Sequence, residues 1–124
     1  MNTASRPWLV IAGVTGALSV ALGAVAAHAA EPATAERMAT AVRYLMWHSL
    51  ALLAVAWLVA GPAVRWARRS GCLFVAGQFL FCGALLLSTI DGYEGIAVIA
   101  PAGGLSFIAG WLCLLLGGLH KPDV

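Results

Sequence analysis

The chain has 124 residues, of which 62% are hydrophobic and 10% charged, with seven basic and five acidic side chains and a formal net charge of +2. Soluble domains are about 45–50% apolar and about 25% charged, and a water-soluble fold this short has too little interior to hide so much apolar surface. The mean hydropathy of +0.94 therefore assigns the chain to lipid, and a net charge of +2 is too small to suggest a nucleic-acid partner.

Residues 1–7 form a short polar leader carrying Arg6, and residues 8–27 follow as twenty positions without a charge. At about 1.5 Å per residue such a run crosses a hydrocarbon core of about 30 Å. Arg6, the apolar run and Ala27-His28-Ala29 also resemble a secretory signal with its A-x-A cleavage site. The run is longer than the usual span of about 7–15 residues, so we read it as a retained first helix. Small residues recur on two of its sides, Gly13, Ala17, Ala21 and Ala24 on one and Gly16, Ser19, Gly23 and Ala27 on another. In lipid, small residues at helical spacing let backbones approach closely.

Glu31-Pro32 ends the first helix, and Thr34 is placed to cap the next. Glu36, Arg37 and Arg43 keep the start of that second helix at the interface, and its spanning part runs to Gly61-Pro62. Arg37, Ala41, Tyr44 and His48 follow the 4-3-4 spacing of one helix face, carrying polar groups from the interface inward. Arg65, Trp66, Arg68 and Arg69 read as a basic connection with Trp66 as interfacial anchor. The third span holds one strongly polar side chain, Gln78, and ends at an acidic turn around Asp91 and Glu94. In the fourth span Pro101 stands near the start, where lost hydrogen bonds cost least. Beyond it Gly103, Ser106, Gly110, Cys113 and Gly117 repeat at 3-4-3-4 spacing, the seam of a closely packed side.

The predicted architecture is all-α, one integral membrane domain over residues 1–124, a bundle of four transmembrane helices spanning 8–28, 42–61, 71–90 and 96–118. Gly16, Gly23, Gln78, Gly83, Ser106, Gly110 and Gly117 are its expected helix-packing residues. Cys72, Cys82 and Cys113 lie in apolar surroundings without a C-x-x-C pair and read as buried free thiols. Four spans put Arg6, Arg65, Arg68, Arg69 and Lys121 on one side and Arg37 and Arg43 on the other. The positive-inside rule then predicts both termini in the cytoplasm. That orientation gathers His28, Arg43, Tyr44, Asp91 and residues 101–104 toward the outer face.

His28, Arg43, Tyr44, His48, Asp91, Pro101, Gly103 and Gly104 are thus the candidate ligand-binding or interhelical polar cluster. With the second span beginning near Val42, His48 lies about 9 Å deeper than the interface at about 1.5 Å per residue. Two histidines on neighbouring helices can ligate a metal or haem, or relay protons. A metal, however, needs ligands at matched depth on facing sides. The plainer reading is that each imidazole hydrogen-bonds a neighbouring helix and fixes its register. Tyr44 reads as an aromatic-belt residue, Arg43 as a snorkelling or headgroup-binding one, Asp91 as a solvated turn residue and Gln78 as an interhelical hydrogen-bonder. No carboxylate is placed at the membrane midplane, no cysteines are paired, and no serine has a His and an acid at recognisable spacing. No catalytic residue, metal or cofactor is assigned.

Gly23-Ala24-Val25-Ala26-Ala27-His28-Ala29 resembles the G-A-x-G/A-A-H-A signature of the YgdD-like family of small membrane proteins, also known as domain of unknown function four-two-three, which has mitochondrial relatives. The run Ala41-Val42-Arg43-Tyr44-Leu45-Met46-Trp47-His48-Ser49-Leu50-Ala51-Leu52-Leu53 resembles its A-x-x-Y-x-x-x-H-x-L-A-L segment. Leu80-Phe81-Cys82-Gly83-Ala84-Leu85 and Pro101-Ala102-Gly103-Gly104, with Gly110-Trp111 after, resemble its third and fourth blocks. Ala26 stands where Gly is common and Cys82 where Ser is common. The resemblance implies four transmembrane helices with an uncleaved first one and supplies no activity. The signature falls on His28, Tyr44, His48 and residues 101–104. The expected function is a non-enzymatic binding or assembly module of the bacterial inner membrane, partnered by the lipid bilayer and by itself or a larger membrane complex. The alternative is a small transporter or a lipid-, metal- or haem-binding protein with an outward pocket under Pro101 and His48.

Overall fold

A computed structural model describes residues 2–120; Lys121, which entered the charge count, lies outside the described residues. Four helices are long and apolar enough to cross a membrane, Arg6–Ala27, Pro32–Leu58, Val64–Leu87 and Glu94–Leu119. No strand occurs among the described residues. The fold is the expected all-α membrane bundle, and its helices outrun the expected spans chiefly at their N-terminal ends.

Helix α1 (Arg6–Ala27) has Pro7 in its first turn, where the missing N–H is one of the unbonded ones anyway. Helix α2 (Pro32–Leu58) starts ten residues before its expected apolar stretch, because Glu31 caps it. The Glu31 carboxylate accepts from the backbone N–H of Ala33 at 3.0 Å and of Thr34 at 2.6 Å. The cap is therefore Glu31 and not Thr34. The Thr34 hydroxyl and these two amides hold the Glu31 carboxyl below its ordinary range.

After the Gly61-Pro62 turn, α3 (Val64–Gly77) begins at once. Arg65, Trp66, Arg68 and Arg69 consequently occupy its first two turns instead of a connection. The span continues through a π-helical segment, Gln78–Gly83, and a last α-helical turn, α4 (Ala84–Leu87). The turn beyond it passes through Gly92 at φ +87°, a left-handed conformation open to glycine. A 3-10 stretch, Glu94–Ile99, leads into α5 (Ala100–Leu119), with Pro101 again in the first turn.

Short connections make successive spans antiparallel neighbours. Helix α2 is the central element: Ala41, Leu45, His48, Ser49, Leu52, Val55 and Ala56 are among its buried residues. Helix α1 is the outermost, with Ala12 and Ser19 its only buried positions. The apolar side chains it leaves exposed, among them Val10, Val14, Leu18 and Val20, suit a lipid-facing surface, since hydrocarbon tails are as apolar as the residues they meet.

The three glycines of the α5 seam pack inside the bundle, with Ser106 and Cys113 half-buried between them. A Cβ on Gly103 would collide with the backbone of Leu80 and Phe81, and one on Gly110 would sit 2.6 Å from the Phe74 ring. A Cβ on Gly117 would lie 3.0 Å from Trp66 Cβ. Between them Ser106 Oγ donates to the Leu73 carbonyl at 2.7 Å. The π-helical turn matters to this contact, because the backbone that Gly103 approaches belongs to it.

Candidate functional site

The 4-3-4 stripe of α2 is the face that enters the core. At its N-terminal end Arg37 Nη1 donates to the Ser88 carbonyl at 3.1 Å, tying down an unbonded oxygen at the end of the third span. Ala41 is fully buried, and Tyr44 packs on Phe81 with ring centroids 4.6 Å apart. His48, one turn further in, is 3% exposed and lies flat against Phe107, centroids 3.5 Å apart and planes 9° from parallel.

The two bonds of that imidazole decide what it can do. Nδ1 lies 2.7 Å from the Tyr44 carbonyl, which only accepts, so Nδ1 carries the proton. Nε2 lies 3.2 Å from Trp111 Nε1, whose N–H only donates, so Nε2 offers its lone pair to the indole. The ring is the neutral Nδ1–H tautomer with both nitrogens occupied. In this arrangement it presents no free lone pair to a metal or haem, and a second proton would face the Trp111 N–H. The space under Pro101 and His48 is filled by the rings of Tyr44, Phe81 and Phe107. The alternative of an outward pocket there finds no support.

The remaining members of the candidate cluster do not gather around His48. His28 is the exposed C-cap of α1, and Arg43, Asp91 and Pro101 are exposed at the same end of the bundle. Gly103 is buried on the π-helical segment, and Gly104 is half-buried beside Phe81. Among the described residues no three His, Cys, Asp or Glu side chains come together as a metal-holding group.

A second polar cluster joins α1, α2 and the third span, and the sequence reading identified only Gln78 of it. Thr15 Oγ1 and Ser49 Oγ are 2.7 Å apart across the α1–α2 interface. Gln78 Nε2 reaches Ser49 Oγ at 3.3 Å, the Leu45 carbonyl at 3.4 Å and Thr15 Oγ1 at 3.5 Å. Higher on α1, Ser19 Oγ donates to the Val42 carbonyl at 2.9 Å. Gly16 and Gly23 give the room for these approaches, facing Ser49 Cβ and Val42 Cγ1. The overlooked signal was that Thr15 and Ser19, one turn apart, are the two hydroxyls in an otherwise apolar run. Gln78 Oε1 is left buried without a donor. Beside this cluster a cleft of about 440 Å³ opens between α1 and the third span, walled by aliphatic side chains such as Val14, Leu18, Val75 and Leu86.

Comparison with known proteins agrees with this picture of a membrane bundle. The family model described as "Protein of unknown function (DUF423)" matches residues 22–104. The chain is 33% identical over 120 residues to the UPF0382 inner membrane protein YgdD of Escherichia coli strain K12, covering 94% of this chain and 92% of that one. It is 35% identical over 121 residues to a UPF0382 membrane protein of Haemophilus influenzae, covering 94% and 97%. The UPF0382 membrane protein YwdK of Bacillus subtilis is 28% identical over 119 residues, covering 92% and 97%. No solved structure matches the chain. The chain belongs to the DUF423 family, and it is a four-helix integral membrane protein of uncharacterised biochemical role.

Proposed function

We propose that this chain is a non-enzymatic assembly module of the inner membrane, inserted with both termini in the cytoplasm and joined to a second copy or a larger membrane complex along the outer face of α1. One observation carries the reading. Gly13, Ala17, Ala21 and Ala24 form a stripe of small residues that is exposed along its length, and nothing lies within 4 Å of a Cβ built on Gly13. Small residues at helical spacing let helix backbones approach closely in lipid. The glycines of the α5 seam, which carried the same signature, are covered by the bundle itself, whereas the α1 stripe is free.

The interior supports a scaffold role. His48, Tyr44, Gln78, Thr15 and Ser49 hydrogen-bond one another's helices or stack between them, which fixes register. The orientation rests on Arg6, Arg65, Arg68 and Arg69 lying at one end against Arg37 and Arg43 at the other. Native mass spectrometry from mild detergent tests association: oligomers or a co-purifying membrane protein are expected from the wild type and a monomer from Gly13→Leu. A wild-type protein that is monomeric and alone overturns the proposal. A cysteine at Arg65→Cys should react with an impermeant thiol reagent only after the membrane is opened.

A further inference from the structure

The two ends of the bundle differ in charge. Glu31, Glu36, Asp91 and Glu94 all lie at the end where α2 begins and the third span stops, while Arg6, Arg65, Arg68 and Arg69 lie at the opposite end. Among the described residues no carboxylate shares the arginine end. Arg65, Arg68 and Arg69 project from the first two turns of α3 and are exposed, and Arg69 is laid over the Trp66 ring with its guanidinium carbon 5.1 Å from the centroid. An indole at the interface is a fixed platform, so this contact holds Arg69 at headgroup level.

Directly below Arg68 and Arg69 the surface between α3 and α5 is hollow. A cleft of about 420 Å³ runs from these two side chains past Cys72 and Leu73 to Cys113. Its mouth is cationic, and the rest of its lining is apolar. A free anion would satisfy the mouth and leave the slot empty, while a neutral lipid would fill the slot and leave two guanidiniums without a counter-ion. A molecule with a phosphate attached to a hydrocarbon chain matches both parts at once.

We propose that the cleft between α3 and α5 is a binding site for an anionic glycerophospholipid, with its phosphate on Arg68 and Arg69 and one acyl chain lying along Cys72, Leu73 and Cys113. Guanidinium is suited to this because its planar fork bonds phosphate in bidentate fashion and sheds water more readily than an ammonium. Basic pockets between transmembrane helices are the general form of such sites.

The test is photolabelling of the full chain in nanodiscs, using a phosphatidylglycerol with a diazirine in its acyl chain beside the matched phosphatidylcholine. In the wild type the phosphatidylglycerol probe should label α3 and α5 around Leu73 and Cys113 about tenfold more than the phosphatidylcholine probe. The double variant Arg68→Gln/Arg69→Gln should lose that excess. Both side chains are exposed, so the fold is retained, which circular dichroism checks. Leu73→Trp, which fills the slot and keeps both arginines, should lower labelling at the same peptides, and added inorganic phosphate should not compete. Equal labelling by the two probes, or an excess that survives the double variant, overturns the proposal. An equal loss in Arg6→Gln, at the same end but outside the cleft, also overturns it, because the attraction is then diffuse surface charge. Displacement by inorganic phosphate alone reduces the site to an anion contact and overturns the lipid assignment.

Discussion

Two small-residue stripes in this chain carry the same sequence signature and meet opposite fates. On α5, Gly103, Gly110 and Gly117 are covered by the Leu80–Phe81 backbone, Phe74 and Trp66, so closely that none has room for a methyl group without displacement. On α1, Gly13, Ala17, Ala21 and Ala24 face outward, and the space beside Gly13 is open. Spacing alone shows that a helix face can be approached closely. What approaches it depends on which side of the helix the neighbours occupy, and α1 has its neighbours on the Gly16, Ser19 and Gly23 side.

Substitution on the covered stripe should have the largest effect. Gly103→Ala sets a Cβ against backbone atoms that cannot rotate away, and we expect a loss of about 3 kcal/mol of bundle stability or more, read as a lowered melting temperature in detergent. If Gly103→Ala melts like the wild type, the α5 contact is looser than described and the contrast between the stripes fails. His48→Ala removes the ring stacked on Phe107 and strips Trp111 Nε1 of its acceptor. A loss of about 2–4 kcal/mol is expected from cavity and hydrogen-bond effects together. Fluorescence of Trp111 should shift in the same variant.

The open stripe should respond in association and not in folding. Gly13→Leu is expected to leave monomer stability within about 0.5 kcal/mol while dissociating any oligomer in native mass spectrometry; a variant that unfolds instead would place α1 differently. Gln78→Leu sharpens the contrast between the two polar clusters. It removes three long hydrogen bonds but also the donorless Oε1, and Thr15 and Ser49 keep each other. The net change should stay below about 1 kcal/mol, the scale of such bonds in lipid, well short of His48→Ala. The smallest effect belongs to the Glu31 cap. Its carboxyl sits below its ordinary value in the folded state, so its contribution is complete above the unfolded-state value and fades as pH falls through the lower folded one. Glu31→Gln should flatten that acid-side slope in melts taken across pH 3–6, and an unchanged slope would remove the cap from the account.

Much of the architecture was legible because lipid is a severe selector. An uncharged run of about twenty residues has few alternatives to a spanning helix, and the 4-3-4 stripe through Arg37, Ala41, Tyr44 and His48 did mark the face of α2 that enters the core. Helix limits were less legible. Arg65, Arg68 and Arg69 read as a loop because they are charged, yet a helix continues through the interface wherever its side chains reach water. The candidate cluster was read from position along the membrane normal, which brought His28, Asp91 and the deeper His48 into one outer-leaflet group. Depth says nothing of rotation about the helix axis, and rotation leaves His28 and Asp91 in the open and His48 between Phe107, Phe74 and Trp111.

Hydropathy and charge by themselves determined that the chain crosses the bilayer as four helices and that its basic residues collect mainly at one end. Those outcomes follow from the transfer energetics of each segment taken alone. The tertiary structure decided which small residues touch, which hydroxyls find Gln78, and that the His48 imidazole is closed on both sides. These depend on how helices are turned and slid against one another, a matter of side-chain fit between segments far apart in the chain, which no single segment encodes.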